Sequence, residues 1–477
     1  MNGRPPYWTV VALVAMLAIP LSWLPAAAAG VALAVTAVRA GRSLAPARRA
    51  RTASASEAAI ELGTDSRGRP VSIAERELAA HGLILGASGA GKTTTLLTIL
   101  SEQIRRGRPV VAIDMKGSPA FAAALADAAA QAGRPLRIWT PDGERHWNPL
   151  AHGNATELKD KLIATERFTE PHYQRAAERY VQNVLQVLEG THAERPPTLS
   201  EVVRMMDPHR LAGSLRGLPR PHAERVQDYL AGLTPDQLSA VRGLQTRLAI
   251  ITESHTGRYL EPSGAPADVD VRSALSGGEV VLFSLNSSTY GKLAAQLGTL
   301  AVQDLVCAAG NRLGEGGRAQ ATVAIDEASA LGENLLSLFA RSREAGIGVL
   351  AATQELADFD RVAPGLRDQV LGNTAFKVAH RQDVPSSAQT VAQMAGTEKT
   401  WEYTEQLGGV LPGGYPNGRR TRRLGEQFVV HPNEIKTLGT GQAVLLSKLR
   451  RDPASTVRVA PPPRRASPPS RSGPELG

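Results

Sequence analysis

The sequence contains little cysteine, little lysine and, over most of its length, little net charge. Cys307 is its only cysteine, which excludes an intramolecular disulfide, argues against a cysteine metal site and fits a reducing compartment. The formal net charge of +9 lies at the ends of the 477-residue chain. Residues 1–51 hold six arginines and no acid, and residues 448–477 hold seven basic residues against two acids. Residues 52–447 therefore carry −2, so nucleic acid would have to be bound by local loops and not by a general positive field.

Charge is also absent from residues 7–38, an apolar stretch interrupted near its middle by Pro20. It exceeds the ~20 residues of a single span, whereas two halves of about 15 are short for a bilayer ~30 Å thick. We expect residues 1–51 to be a membrane anchor, a transmembrane hairpin with a basic cytoplasmic flank. One span plus a buried or interfacial segment, and a signal peptide cleaved near Ala29, are the alternatives. The expected location is the inner (plasma) membrane, with the rest of the chain in the cytoplasm.

A P-loop pattern follows the apolar strand predicted at residues 81–85 and precedes a helical run. Its glycines let successive backbone N–H groups point at phosphate oxygens, and the helix offers its positive amino-terminal end. Lys92 is expected to bridge the β- and γ-phosphates of ATP, and the Thr93 hydroxyl to hold Mg²⁺. The predicted nucleotide-binding residues are Gly86, Ala87, Ser88, Gly89, Ala90, Gly91, Lys92, Thr93 and Thr94.

Apolar strands alternate with helical segments along the rest of the chain, which predicts an α/β fold with a parallel sheet. Strands are predicted at 109–114, 136–139, 279–285, 321–325, 347–354, 376–379 and 442–446. Between about 155 and 262 the strand pattern disappears, and capping boxes at Thr198 and Thr234 indicate helices instead. The expected domains are the membrane anchor at 1–51, a P-loop ATPase domain at 52–154 and 263–450, an all-alpha insert at 155–262, and a disordered Pro/Arg-rich tail at 451–477.

Two acids end the strand predicted at 321–325. Asp326 is expected to orient Mg²⁺, and Glu327 to polarise the attacking water. One strand later, Gln354 stands where it could sense the γ-phosphate. The alternative is that the two acids only cap a helix. If they are catalytic, a paired acid favours a cycle of ATP hydrolysis over phosphoryl transfer to a small molecule.

Taken in order, these motifs resemble the FtsK/HerA class of DNA-pumping ATPases, and within it the conjugative coupling proteins of the TraG/TraD type. The resemblance extends over about residues 75–450. Its motifs are residues 86–93, 114–117, 147–150, 323–327, 342–346, 352–354, 373–377 and 438–444.

The resemblance implies a RecA-like P-loop ATPase domain in a membrane-anchored homohexamer that moves DNA by ATP hydrolysis, with ATP and Mg²⁺ as cofactors. Its implied partners are DNA, a relaxase or relaxosome received by the all-alpha insert, and secretion-channel proteins. It assigns catalysis to Glu327, Lys92 and Gln354, and matches Arg343 to a trans-acting arginine finger, with Arg341 and Arg381 as rivals. The competing functions are an FtsK-like double-stranded DNA pump, an ATPase for protein export or pilus assembly, and an anchor with a degenerate P-loop.

An arginine cluster at residues 419–423 lies in a Gly/Pro-rich segment that we expect to be a loop. A basic loop of this kind is commonly no more than solvated. The alternative is that its four arginines contact phosphates of DNA.

Overall fold

The computed structural model describes residues 59–192, 195–314, 320–408, 415–451 and 454–462, with only the backbone described at 403–408 and 415–421. The chain divides into two units after Ala59, and the elements below belong to the second unit apart from that first residue. The expected transmembrane hairpin lies outside the described residues.

Strands and helices alternate through most of the unit. The strands are β1 Ala59–Thr64, β2 Pro70–Ala74, β3 Gly82–Leu85, β4 Val110–Asp114, β5 Leu136–Trp139, β6 Val280–Ser284, β7 Ala321–Asp326, β8 Ile347–Thr353, β9 Phe376–Ala379, β10 Thr397–Gly408, β11 Tyr415–Phe428, β12 Gln442–Ser447 and β13 Ala454–Val459. The helices are α1 Glu75–Leu78, α2 Lys92–Arg105, α3 Pro119–Gln131, α4 Ala155–Ile163, α5 Pro171–Thr191, α6 Leu199–Met205, α7 Pro208–Gly213, α8 Arg220–Ala231, α9 Pro235–Thr252, α10 Val271–Ser276, α11 Ser287–Gly314, α12 Asn334–Ser342, α13 Ala357–Val362, α14 Leu366–Asn373, α15 Pro385–Ala395 and α16 Pro432–Thr437.

Eleven strands form one sheet in the order β2-β1-β13-β12-β9-β3-β8-β7-β4-β6-β5. From β9 to β5 all neighbours are parallel, which confirms the predicted α/β fold. The predicted parallel arrangement does not extend to the other side, where β12 pairs antiparallel with β9, β13 with β12, and β1 with β13. The short connection between β12 and β13 is of the kind that antiparallel neighbours allow, whereas parallel neighbours need a crossover.

Both faces of the sheet are buried. In β3, Leu83 and Leu85 belong to one apolar core, and Ile84 belongs to the core on the opposite face. This is why the central strands read as continuous apolar runs. In the described part of residues 140–279 the regular elements are all helical, and their apolar side chains share the first of these cores.

The helix starts follow the predicted capping chemistry. Thr198 accepts a hydrogen bond from the Glu201 N–H in a capping box, and Thr234 caps α9 in the same way with Pro235 in its first turn. Both predicted capping boxes are therefore confirmed.

Two segments expected to be irregular form strands. Residues 454–459 were placed in a disordered tail, but they make β13, the strand between β12 and β1. The tail boundary at 451 is wrong because β13 joins two strands in the sheet and buries Val457 and Val459. The second segment, which contains the arginine cluster, is a two-stranded antiparallel ribbon of β10 and β11 and not a loop.

Among the described residues, α11 is the one helix long and apolar enough to cross a membrane by length and composition alone. In its most apolar window, however, 72% is buried inside the unit, as in the core helix of a globular domain.

Candidate nucleotide-binding site

The predicted site residues converge at the carboxyl ends of the parallel strands. The P-loop follows β3, and Gln354 follows β8, whose Thr353 is the register partner of Leu85. Asp326 ends β7 beside Asp114 at the end of β4. Ligands of α/β sheets bind at this edge.

In the P-loop, Gly89 and Gly91 have φ of 73° and 123°, a region that disfavours side chains with a Cβ. Lys92 begins α2, and its buried ammonium donates to the carbonyl oxygens of Gly86 at 2.5 Å and Ala87 at 3.1 Å. Burial, and then the charge of Lys116, lower the pKa of Lys92. An anion bound in the loop would relieve both effects by supplying the missing negative charge.

The next residues offer oxygen atoms suited to Mg²⁺. Thr93 Oγ1 donates to Asp326 Oδ2 at 3.2 Å, and Asp326 Oδ1 is buried with no hydrogen-bond partner in the described protein. A buried, unpartnered carboxylate oxygen beside a hydroxyl fits the hard oxygen ligands that Mg²⁺ requires. Among the described residues there is no cluster of three or more His, Cys, Asp or Glu that could hold a metal. Thr93 and Asp326 would therefore share the ion with nucleotide and water.

Glu327 is held between two partners. Gln354 Nε2 donates to its Oε1 at 2.9 Å, and Lys116 Nζ lies 2.7 Å from its Oε2. Its backbone is left-handed, with φ 64° and ψ 47°, which costs a residue other than glycine roughly 1–2 kcal/mol. An open cleft of about 520 Å³ begins beside Glu327 and Gln354.

Lys116 also belongs to the site. It lies in the motif at residues 114–117, but the sequence assigns it no role. Burial acts against its positive charge, but the hydrogen bond to Glu327 and the charges of Asp326, Glu327 and Asp114 together raise its pKa. The only sequence signal was its place just after a buried strand that ends in an acid.

The turn that carries Lys116 is fixed by its neighbours. Asp114 accepts hydrogen bonds from the N–H groups of Lys116 at 2.9 Å and Ser118 at 2.5 Å. Gly117 has φ 69°, and a Cβ there would lie 2.7 Å from the Asn286 side chain. Burial, and also the charge of Asp326, raise the pKa of Asp114.

His380 is hydrogen-bonded to the helix that follows the P-loop. Its Nδ1–H donates to the Gln442 carbonyl oxygen at 2.9 Å, since a carbonyl only accepts, and Nε2 therefore accepts from Thr95 Oγ1 at 2.8 Å. Burial, together with the charge of Lys92, lowers the pKa of His380 to about 4. The neutral ring thus ties α2 to the loop before β12, where the Gly441 N–H also donates to the Ala90 carbonyl oxygen at 2.9 Å.

The three candidate arginine fingers lie at different edges of the sheet. Arg341 and Arg343 are exposed at the end of α12, just before β8 begins, and so at the edge opposite the P-loop. Arg381 follows β9 at the P-loop edge, where its carbonyl oxygen accepts from the Ala87 N–H at 2.9 Å and its side chain pairs with Asp383. The structure therefore does not bring Arg343 to the nucleotide site of its own subunit.

The arginine cluster lies along β11. In the backbone register of the ribbon, Arg423 and Arg420 are the partners of Glu402 and Glu405. The Arg422 guanidinium stacks 4.3 Å above the centre of the Trp401 ring. Trp401 itself is 47% exposed, which leaves an aromatic and basic surface open on the ribbon.

Two family models match separate stretches of the sequence. The FtsK/SpoIIIE family model matches residues 44–115, and the model for the TraM recognition site of TraD and TraG matches residues 320–439. No curated protein is significantly similar in sequence.

Several solved structures share the fold. The unbound bacterial conjugative coupling protein TrwBdeltaN70 is 16% identical with a TM-score of 0.64, covering 84% of this chain and 88% of that one. TrwB in complex with ADP and Mg²⁺ is 16% identical with a TM-score of 0.61, covering 84% and 89%. VirB4 of Thermoanaerobacter pseudethanolicus is 13% identical with a TM-score of 0.54, covering 85% and 96%.

The family models and these folds agree with the motifs quoted from the sequence. The chain is therefore similar to the FtsK/HerA-class ATPases and to the TraG/TraD-type coupling proteins within that class, and it has the fold of a conjugative coupling protein.

Proposed function

We propose that the protein is a membrane-anchored, ATP-driven DNA translocase that acts as a coupling protein in conjugative, type IV secretion-like DNA transfer. The observation that carries this proposal is the convergence of Lys92, Thr93, Asp326 and Glu327 at one edge of a coupling-protein fold. The TrwB complex with ADP and Mg²⁺ supports the same cofactors here.

In this mechanism the P-loop amides and Lys92 hold the β- and γ-phosphates of ATP. Thr93 and Asp326 would hold Mg²⁺, and the bound ion would neutralise charge on the phosphate oxygens. Glu327, fixed by its left-handed turn, orients and polarises the attacking water, and Gln354 keeps that carboxylate in register. His380 positions the P-loop helix through its hydrogen bond with Thr95.

The partners proposed with this function are DNA, a relaxase or relaxosome, secretion-channel proteins and five further copies of the chain. The match to the TraM recognition site of TraD and TraG at residues 320–439 supports a relaxosome partner. We place the anchor at residues 1–51 in the inner membrane and the ATPase domain in the cytoplasm.

The test is stimulation of ATP hydrolysis by DNA, measured on the full-length protein in detergent or nanodiscs. Single-stranded and double-stranded DNA are compared at one salt concentration, because DNA affinity depends steeply on salt. We expect Mg²⁺-dependent ATP hydrolysis whose rate rises when DNA is added. The Lys92→Ala protein is the inactive control. Turnover indifferent to both forms of DNA would contradict DNA translocation and favour an ATPase for protein export. A preference for double strands would favour an FtsK-like pump.

A further inference from the structure

Lys116 and Lys92 place two positive charges at the same end of the sheet. Lys92 lies across the P-loop, and Lys116 reaches Glu327 from the turn after β4. Each is partly or wholly withdrawn from solvent, and the charge of Lys116 is one cause of the lowered pKa of Lys92. Like charges repel, so an anion bound at this end of the sheet would be attracted by both ammonium groups.

The present partner of Lys116 also limits Glu327. Oε2 forms an ion pair with Lys116 at 2.7 Å without an aligned hydrogen bond, and Oε1 accepts a hydrogen bond from Gln354, so each oxygen of the carboxylate has one partner. For Glu327 to act on water, one of its two partners must release it.

Of these two partners, Lys116 is the one that a phosphate would attract. Its backbone is fixed by Asp114 and Gly117, but its side chain is 38% exposed and ends in a flexible point charge with three donors. Its ammonium can therefore change partners by rotation about side-chain bonds, with no movement of the sheet.

We propose that Lys116 binds the γ-phosphate of ATP, and that it exchanges its ion pair with Glu327 for one with the phosphate. This inference rests on the proposed function, because it takes Glu327 to face the γ-phosphate. The exchange gives the subunit a second local cation for the phosphate and frees one oxygen of Glu327 for the attacking water. It also makes release of Glu327 depend on a triphosphate, since ADP has no γ-phosphate to attract Lys116.

The experiment measures the affinities of the full-length protein for ADP and for a non-hydrolysable ATP analogue, both with Mg²⁺. Lys116→Met is compared with the exposed Lys292→Met as a matched control. We expect Lys116→Met to lose about tenfold in affinity for the ATP analogue, which is about 1.4 kcal/mol, and to change the affinity for ADP by less than about twofold. Lys116→Arg should recover part of the loss because it restores the charge.

A double-mutant cycle with Glu327→Gln tests the exchange itself. Removing the charge of Glu327 releases Lys116, so Glu327→Gln should bind the ATP analogue several-fold more tightly than the wild type. The same change should give no gain in a Lys116→Met background. A gain that persists without Lys116 would overturn the exchange.

An equal loss of ADP and ATP-analogue affinity in Lys116→Met, or no loss of either, would overturn binding of Lys116 to the γ-phosphate. Retained ADP affinity shows that the variant is folded. Failure of the proposed function would give a different result. ATP hydrolysis by the wild-type protein would then not respond to DNA, while the preference for the ATP analogue over ADP would still depend on Lys116.

Discussion

Replacing Arg343 by alanine should abolish ATP hydrolysis without weakening nucleotide binding in the same subunit. Arg343 lies ahead of β8, separated from its first residue by Glu344, Ala345 and Gly346, and the seven residues of the strand then lead to the edge with the P-loop. At ~3.3 Å per residue, the two edges are about 20 Å apart, which is beyond the reach of an arginine side chain. Any contact of Arg343 with ATP must therefore occur in a neighbouring subunit of the proposed ring.

The expected size of the effect follows from that role. An arginine finger contributes roughly 10³ to 10⁵ in kcat, so Arg343→Ala should hydrolyse ATP at least about a thousandfold more slowly. Its affinity for an ATP analogue should remain within about twofold, because the P-loop of the same subunit is intact.

The assay mixes full-length Arg343→Ala protein with Lys92→Ala protein, each inactive alone. In a randomly mixed ring with equal amounts of both, about one site in four pairs an intact P-loop with an intact neighbouring arginine. Turnover should then recover to about a quarter of the wild-type value per subunit if the sites act independently. Arg341→Ala, at the same exposed edge, is the matched control and should remain active.

Wild-type turnover in Arg343→Ala, or verified mixed rings that recover no activity, would refute the reasoning. The assignment would then pass to Arg341 or Arg381. Arg381 lies beside its own P-loop, so a loss in Arg381→Ala that mixing does not repair would indicate action within one subunit.

Three further outcomes are expected. Lys92→Ala should lose nucleotide binding or turnover, whereas Glu327→Gln should bind ATP with Mg²⁺ but turn over roughly 10² to 10⁴ times more slowly; single-turnover kinetics measure this, and an unchanged rate would remove Glu327 from the mechanism. Replacing Arg419, Arg420, Arg422 and Arg423 by alanine should make the salt dependence of DNA affinity shallower, by up to about 0.9 in slope for each lost phosphate contact; an unchanged slope would mean that the cluster is only solvated. Since the pKa of His380 is lowered to about 4, the unfolded chain binds more protons than the folded one between about pH 6.5 and 4, and stability falls as pH falls through that window. Between pH 7 and pH 5, the free energy of unfolding should fall by about 2 kcal/mol less in His380→Asn than in the wild type. Urea unfolding at both pH values measures this, and an equal fall in the wild type and the variant would argue against His380 as the cause.

The central strands and the P-loop could be predicted because burial on both faces leaves a direct trace in the sequence. Val110–Asp114 is apolar up to its final acid, and every residue of it is buried. β13 leaves no such trace. In this strand, Ala454–Val459, polar and apolar residues alternate next to a Pro/Arg-rich stretch, and β1, one of its two partners in the sheet, is remote in sequence.

The ribbon was missed for a related reason. β10 and β11 pair mainly with each other and carry many charged residues, so they show no continuous apolar run. The predicted Gly/Pro-rich loop includes the arginine cluster, whereas the structure places that cluster in β11. The alternation around Trp401 was the available signal for a strand.

Within the site, each motif was visible but the contacts between motifs were not. The sequence showed that Lys116 and Glu327 each follow a strand, but not that β4 and β7 are neighbours in the sheet. That adjacency makes the ion pair between Lys116 and Glu327 possible. For the same reason, the position of His380 beneath Thr95 could not be anticipated from spacing.

The position of β13 between β12 and β1 affects how the protein is made. β1 is among the first described elements to leave the ribosome and β13 is the last, so β1 waits for its partner until nearly all the described chain has been synthesised. Closing so long a loop is slow, and β1 and the free edge of β12 are exposed to mispairing meanwhile. The P-loop also depends on β13. The Val459 N–H donates to the Gly441 carbonyl oxygen, and the Gly441 N–H donates to the carbonyl oxygen of Ala90 in the P-loop. The hydrogen-bonded support of the P-loop through Gly441 is therefore completed only after β13 has been added to the sheet.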